Sequence, residues 1–225
     1  MLFDIINSGG KIDFITLIVQ ALSSLAVIFL TLPVHEFAHA FTATKLGDPT
    51  PRYTGRLTLN PLKHIDYLGA ASIILFGFGW AKPVQVNTRY FKNPKRDMAI
   101  TAVAGPISNL LVSFICVFIA ALLITVFSYP TLISYIILFF TNIGYINVYL
   151  AVFNLIPIPP FDGSRLLSAF LPYKYYYALM RYENYLRYGV LILCWTGVLS
   201  RPLSVVSGAV YNAIATAATF VFKFF

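Results

Sequence analysis

The chain has 225 residues, of which 59% are hydrophobic and 11% are charged. A soluble domain carries about 25% charged residues, so this composition excludes a soluble globular domain and an intrinsically disordered chain alike. The net charge of +8 does not indicate a nucleic-acid partner, because nine of the 16 basic residues lie between residues 45 and 96, flanked by apolar stretches. The positive-inside rule predicts that this basic segment is a cytosolic loop of a membrane protein.

The first half of the chain predicts one long membrane helix, a polar loop and a short apolar element. The apolar stretch from residue 14 to residue 43 exceeds the roughly 20 residues that a span needs, and Pro33 predicts a kink or a loosened turn within it. Residues 47–66 are polar and rich in proline and glycine, which predicts a loop. Residues 67–81 are apolar but too short to span, so we expect a re-entrant or interfacial element there. The alternation over residues 83–91 is compatible with a strand of a small β-hairpin.

The second half of the chain contains four further apolar stretches. Two helices are predicted over about residues 98–127 and 132–155, and the prolines that begin at Pro157 must end the second. Two more stretches follow at about residues 186–200 and 203–222, the first of marginal length for a span. The predicted fold class is an all-α polytopic membrane protein with about five transmembrane helices. The last helix carries a stripe of small residues suited to close packing, within the chain or between chains: Ala209, Ala213 and Ala217.

The residues with catalytic chemistry lie inside the first apolar stretch. The segment VHEFAH places His35 and His39 four positions apart, with Glu36 directly after the first histidine. Side chains at i and i+4 share one helix face, so both imidazoles can bind one metal ion while Glu36 reaches a water bound to it. This arrangement is typical of a zinc hydrolase. A pair of purely structural histidines is disfavoured, because ionisable groups inside a membrane span are costly and usually functional.

A catalytic zinc site needs a third protein ligand, and two residues are candidates. His64 lies in the polar loop, where an ordinary loop or interface histidine is the better interpretation. Asp162 follows the helix at 132–155, whose end is expected on the same side of the membrane as His35 and His39. From spacing alone, Asp162 is equally well interpreted as a helix N-cap or an Asp-Gly turn residue.

Three separated motifs resemble those of the site-2 protease family of intramembrane zinc metalloproteases, family M50. They are HEFAHA from His35 onward, AGPISN over residues 104–109 and NLIPIPPFDG over residues 154–163. The linking segments RLTLNPLKHID and FGFGWAKPVQVN resemble the compact bacterial and archaeal members, which lack a PDZ domain. The resemblance covers roughly residues 25–170, and it departs from the family at Phe161, where leucine is more usual.

The resemblance implies the roles of the site residues. One Zn²⁺ ion would be held by His35, His39 and Asp162. Glu36 would be the catalytic base. The resemblance also implies that two asparagines bind substrate or steady the site, Asn154 and Asn109. The domain prediction is a single membrane metalloprotease domain over residues 1–225, with a catalytic core at about 14–170 and C-terminal helices at about 186–222.

The predicted function is zinc-dependent hydrolysis of peptide bonds in or next to transmembrane segments, near the cytosolic face of a prokaryotic plasma membrane. The expected partners are a transmembrane protein or peptide substrate and the lipid bilayer, with no nucleic acid, and the oligomeric state stays open. The alternative is a metal-ion transporter or sensor, in which the same ligands pass or sense an ion. A transporter would show ionisable groups along several spans and an internal repeat, whereas here they are clustered. A non-catalytic adaptor is a third hypothesis. The intact Glu36 disfavours it, because a protein without catalytic activity need not keep this residue.

Overall fold

The computed structural model describes residues 13–76, 82–127, 131–167, 169–172, 174–175 and 181–224. These residues form helices and loops, with no β-strand among them, so the predicted all-α class is confirmed. Within these ranges, four segments are long and apolar enough to cross a membrane: Phe14–Lys45, Pro94–Val126, Thr131–Asn154 and Ser200–Phe220. They expose many large apolar side chains, such as Leu30, Leu111 and Leu132, which suits a lipid environment and would be costly in water.

Nine α-helices lie in the described ranges, and we number them in chain order. They are α1 (Phe14–Ala26), α2 (Leu32–Lys45), α3 (Thr50–Tyr53), α4 (Tyr67–Phe76), α5 (Pro94–Val126), α6 (Thr131–Asn154), α7 (Asp162–Leu167), α8 (Glu183–Trp195) and α9 (Ser200–Phe220). Short 3₁₀ turns occur at Pro61–Lys63, Thr88–Tyr90 and Val221–Phe224. The 13 residues of α8 extend about 20 Å, short of a hydrocarbon core about 30 Å thick. This is why four helices reach spanning length where the sequence predicted about five.

The first span is continuous but changes its winding just before the histidines. A π-helical segment, Val27–Thr31, joins α1 to α2, and Pro33 occupies the first turn of α2. Proline lacks the N–H that would bond four residues back, so the regular α-helical pattern is interrupted there, and π turns are frequent at functional sites. The predicted loosening at Pro33 is confirmed.

The core of the bundle lies where the first span, α5 and α6 meet. Its buried side chains are Val27, Ile28, Leu32, Cys116, Ile143 and Leu150. The last helix, α9, packs on both α5 and α6 and buries Leu203, Ser207 and Ala218. The alanine stripe of α9 points elsewhere, since Ala209, Ala213 and Ala217 are all exposed. The sequence left open whether the stripe packs within the chain or between chains. In the described structure it does not pack within the chain.

The loop between the first span and α5 is held together by backbone groups. Lys82 donates its N–H to the carbonyl of His64 at 2.8 Å. The N–H groups of Val84 and Asn87 are taken by carboxylates, those of Glu36 and Asp48. The alternating segment at 83–91 therefore forms no strand in the described structure, because side chains of other segments use the donors that a strand partner would need. It is non-helical up to a 3₁₀ turn at Thr88–Tyr90.

Candidate metal centre

Three side chains from two helices, α2 and α7, converge. The Nε2 atoms of His35 and His39 lie 3.1 Å apart. Oδ2 of Asp162 lies 3.4 Å from Nε2 of His35 and 3.2 Å from Nε2 of His39. Among the described residues, this is the group of His, Cys, Asp and Glu side chains close enough to hold one metal ion. The structure therefore brings Asp162, rather than His64, to the two histidines.

The dimensions of this triangle fit a zinc ion. Ligand atoms about 2.0–2.1 Å from zinc in a tetrahedral site lie about 3.3–3.4 Å from one another, and the three observed edges are 3.1, 3.2 and 3.4 Å. Two imidazole nitrogens and one carboxylate oxygen are also ligands that zinc accepts, with a fourth position left for water in a catalytic site. Both the chemistry and the spacing of the donor set fit Zn²⁺.

The backbone of α5 orients His39. Its Nδ1 lies 2.7 Å from the carbonyl oxygen of Thr101, and since a carbonyl can only accept, Nδ1 carries the proton and donates. Nε2 is then left with its lone pair free for a metal, as in the usual outer-shell support of ligating histidines. Pro106 lacks the N–H that would bond the carbonyl of Ala102, so the hydrogen bonding of α5 is interrupted at the residue after Thr101. Nδ1 of His35 is buried and has no hydrogen-bond partner in the described structure.

Gly105 of α5 lies directly against both histidines. A Cβ at this position would lie 2.6 Å from Cε1 and 2.7 Å from Nε2 of His35, and closer still to Nε2 of His39. Real Cβ atoms do not approach other atoms so closely. A glycine is therefore required for α5 to pack against the metal-binding face of α2.

The turn between α6 and α7 returns Asp162 to the histidines. α6 ends at Asn154, as predicted from the prolines that follow, and the Pro159–Pro160 peptide bond in the turn is cis. The turn is closed by two contacts. Gly163 lies so close to the carbonyls of residues 155 and 156 that a Cβ would collide with them, and the ring of Phe161 packs edge-on against Phe153 with centroids 4.5 Å apart.

Asp162 is ionised in this environment. Burial by itself raises the pKa of a carboxyl group, but in the absence of a metal ion the neighbouring imidazoles of His39 and His35, when protonated, outweigh that effect and hold the pKa of Asp162 well below its usual range. Asp162 also opens α7, where a negative charge interacts favourably with the helix dipole. The residue is therefore available as an anionic ligand.

Glu36 lies beside the triangle and is held by the loop. It is buried, and its Oε2 accepts a hydrogen bond of 3.1 Å from the N–H of Val84. This contact joins residues 48 positions apart and fixes one carboxylate oxygen while the other remains available. The arrangement allows a general base next to a metal-bound water.

The remaining sequence candidates occupy other positions. His64 is fully buried and donates from Nε2 to the carbonyl of Thr58 at 2.7 Å, a loop-bracing role. Asn109 is 1% exposed, and its Nδ2 has no partner in the part of the chain described. Asn154 is half-buried at the end of α6. The residues that sequence reasoning missed are Thr101, Val84 and Gly105. The first two act through backbone atoms and leave no sequence signal, whereas Gly105 stands within the AGPISN motif.

Comparison with known proteins identifies the family. Residues 123–196 match the model of Peptidase family M50, a range that contains Asp162. "Putative zinc metalloprotease YwhC" of Bacillus subtilis (strain 168) is 40% identical over 148 residues, 64% of this chain and 67% of that protein. "Putative zinc metalloprotease Rip2" of Mycolicibacterium smegmatis is 32% identical over 181 residues, 76% of this chain and 66% of that protein.

An archaeal relative extends the comparison. "Putative zinc metalloprotease MJ0611" of Methanocaldococcus jannaschii is 33% identical over 138 residues, 60% of this chain and 63% of that protein. The chain spans about two thirds of the length of these three relatives. No solved structure matches it. Together with the helices of spanning length and the zinc-compatible triangle, these matches show that the chain belongs to peptidase family M50 and is an integral membrane zinc metalloprotease.

Proposed function

We propose that the protein hydrolyses peptide bonds in or next to transmembrane segments of other membrane proteins, near the cytosolic face of a prokaryotic plasma membrane. The observation that carries the proposal is the position of the donor triangle. His35 and His39 are buried within a helix of spanning length, and the nearest base, Glu36, is on the same helix. A hydrolytic centre at that depth is suited to substrates that are themselves in the membrane.

The proposed side of the membrane follows from distance and charge. His39 lies six residues before the end of α2 at Lys45, which is about 9 Å along the helix axis. The site is therefore closer to this end of the span than to the other. Residues 45–96 carry nine of the chain's 16 basic residues, and loops rich in basic residues face the cytosol.

The catalytic steps that we propose for this chain are proton transfers and substrate positioning. Zinc, when bound by His35, His39 and Asp162, supplies Lewis acidity toward water and the scissile carbonyl. Glu36 accepts the proton of the attacking water and later gives it to the leaving amine. The N–H of Val84 holds Oε2 of Glu36 in place, so the other carboxylate oxygen handles the proton.

Substrate binding requires an unwound peptide, because a helical backbone shields its own carbonyls. We propose that residues 82–87, which are non-helical next to Glu36, bind the unwound substrate through backbone hydrogen bonds, as in strand addition. Asn154 is proposed to donate to a substrate carbonyl. Asn109 is proposed to assist substrate binding from deeper in the bundle. Its Nδ2 has no hydrogen-bond partner in the described structure and would donate to the bound substrate.

The test separates metal binding from proteolysis. Purified full-length protein in detergent is measured for zinc content and for cleavage of single-span peptide substrates, with the variants Asp162→Ala and Glu36→Gln in parallel. We expect about one zinc per chain in the wild type and in Glu36→Gln, and loss of zinc in Asp162→Ala. Cleavage is expected in the wild type alone.

Two results would contradict the proposal. A Glu36→Gln protein that still cleaves would exclude Glu36 as the base. Stoichiometric zinc without cleavage of any membrane peptide, combined with zinc uptake into protein-containing vesicles, would favour the transporter hypothesis instead. Protease protection of the loop at residues 45–96 in oriented membrane vesicles tests the cytosolic placement separately.

A further inference from the structure

A cationic pocket lies beside the metal centre, and its basic side chains have no role in the steps above. Its volume is about 390 Å³, and it is lined by residues 82–86 together with Arg56 and Arg165. Three of its seven lining residues are basic, and none of the described lining residues is acidic. The lining of the pocket therefore carries a net positive charge.

One of the three cations, Arg56, is fixed to the loop by hydrogen bonds of its side chain. Nη1 of Arg56 donates to the carbonyl of Lys63 and, at 3.5 Å, to the carbonyl of Lys82. Lys82 in turn donates its N–H to His64. These bonds hold the guanidinium group of Arg56 at the wall of the pocket, while its other N–H groups remain available to a ligand.

The pocket adjoins the catalytic base through a single residue. Val84 lines the pocket, and its N–H is the group that bonds Oε2 of Glu36 at 3.1 Å. The charges of the metal centre do not cancel the basic lining, since a zinc ion of charge +2 is balanced by the carboxylates of Glu36 and Asp162. An anion in this pocket would thus lie one residue away from the group that handles the proton.

We propose that the pocket binds an acidic side chain of the substrate and makes the enzyme favour Asp or Glu within about four residues of the scissile bond. An extended peptide advances about 3.3 Å per residue. A side-chain carboxylate within four residues of the scissile bond can therefore reach past Val84 to the basic side chains that line the pocket. The proposal rests on the proteolytic function proposed above, because it names a property of that substrate. A lipid phosphate is the competing ligand, but the contact between Val84 and Glu36 favours a ligand attached to the peptide being cut.

The experiment uses the zinc-loaded full-length enzyme and a library of single-span peptides. The four positions on each side of a helix-breaking centre are randomised, and the products are sequenced by mass spectrometry. The variants are Lys82→Glu and Lys82→Ala, because the exposed side chain of Lys82 can change while its backbone bonds persist. Lys92→Glu is the matched control: it makes the same charge change at an exposed residue outside the pocket.

We expect the wild type and Lys92→Glu to enrich Asp and Glu over Asn and Gln by about fivefold to tenfold at one or two positions, since each exposed cation contributes a few-fold. Lys82→Ala should reduce that enrichment, and Lys82→Glu should abolish it or favour Lys and Arg. Equal use of acidic and amide residues by the wild type would overturn the inference while leaving the proteolytic function intact. An acidic preference that Lys82→Glu leaves unchanged would overturn it too.

Repeating the assay in phosphatidylcholine vesicles with and without phosphatidylglycerol distinguishes the lipid ligand. If Lys82→Glu changes the response to the anionic lipid and not the residue preference, the pocket binds lipid and the inference is wrong. No cleavage of any library member by zinc-loaded wild type would contradict the proposed function itself, and the pocket inference with it.

Discussion

Replacing Gly105 by alanine should remove zinc from the protein without unfolding it. The added methyl carbon would lie 2.6 and 2.7 Å from Cε1 and Nε2 of His35 and closer to Nε2 of His39. Non-bonded carbon contacts are normally about 3.5 Å or longer, so the His35 ring or α5 must move by at least about 0.9 Å, and the closer His39 contact requires more. Zinc–ligand distances tolerate only about 0.2 Å. The displacement is therefore more than about four times the tolerance.

The size of the effect follows from that mismatch. Loss of a single outer-shell partner typically lowers metal affinity 10–100-fold. Gly105→Ala disturbs two of the three ligands at once, so we expect a fall in zinc affinity of at least about 100-fold. The substitution also favours the helix, because alanine is better than glycine in a helix interior by about 0.5–1 kcal/mol. Loss of zinc would therefore not be a consequence of weaker helix formation.

The assay measures zinc per chain by elemental analysis and zinc affinity by competition with a chromophoric chelator, with circular dichroism as a check on folding. The matched control is Gly208→Ala in α9, a helical glycine whose added Cβ would meet nothing within 4 Å. It should keep its zinc and its helicity. A folded Gly105→Ala protein with wild-type zinc affinity would refute the reasoning that close packing of α5 on the histidines shapes the site.

Four other outcomes are expected. Glu36→Gln should keep zinc and lower the cleavage rate by at least about 100-fold, because a general base typically contributes 10²–10⁴-fold; comparable rates for both proteins would contradict this. Val84→Pro, which removes the N–H bonded to Glu36, should lower kcat about tenfold with zinc retained, whereas Val84→Ala keeps that donor and should not. Asp48→Asn should lower the free energy of unfolding by about 1–3 kcal/mol, because the fully buried carboxylate accepts from the N–H of Asn87 and from both donors of Thr50; an unchanged denaturation midpoint would contradict that. A chelator should abolish cleavage and added zinc should restore it, and activity that survives complete zinc removal would refute the metal requirement.

The local features of the fold were predictable because each depends on neighbouring residues. Spanning helices follow from runs of apolar residues, and the interruption before α2 and the end of α6 follow from prolines. The sequence could not establish a β-hairpin at residues 83–91. Alternation of apolar and polar residues indicates which side chains share a face, but it does not supply a hydrogen-bonding partner for the backbone. In the structure that backbone is held by the carboxylates of Glu36 and Asp48, which come from distant positions.

The alanine stripe of α9 shows the same difference. Small residues at four-residue spacing permit close packing, but the side on which a helix packs depends on its neighbours. α9 uses Leu203, Ser207 and Ala218 against α5 and α6 and leaves the stripe exposed. The spacing shows that the stripe exists, and the neighbouring helices decide which side of α9 packs within the chain.

For the metal centre, the sequence by itself determined the membrane class and the pairing of His35 with His39, because i and i+4 on one helix share a face whatever the rest of the chain does. It left the third ligand open between Asp162 and His64 on spacing alone. Only the tertiary structure decided that question, since more than 120 residues separate Asp162 from the histidines and the turn after α6 must bring it back. The contacts of Thr101, Val84 and Gly105 likewise exist only where separate segments meet. Those of Thr101 and Val84 are made by backbone atoms that every residue type shares, whereas that of Gly105 depends on the absence of a Cβ.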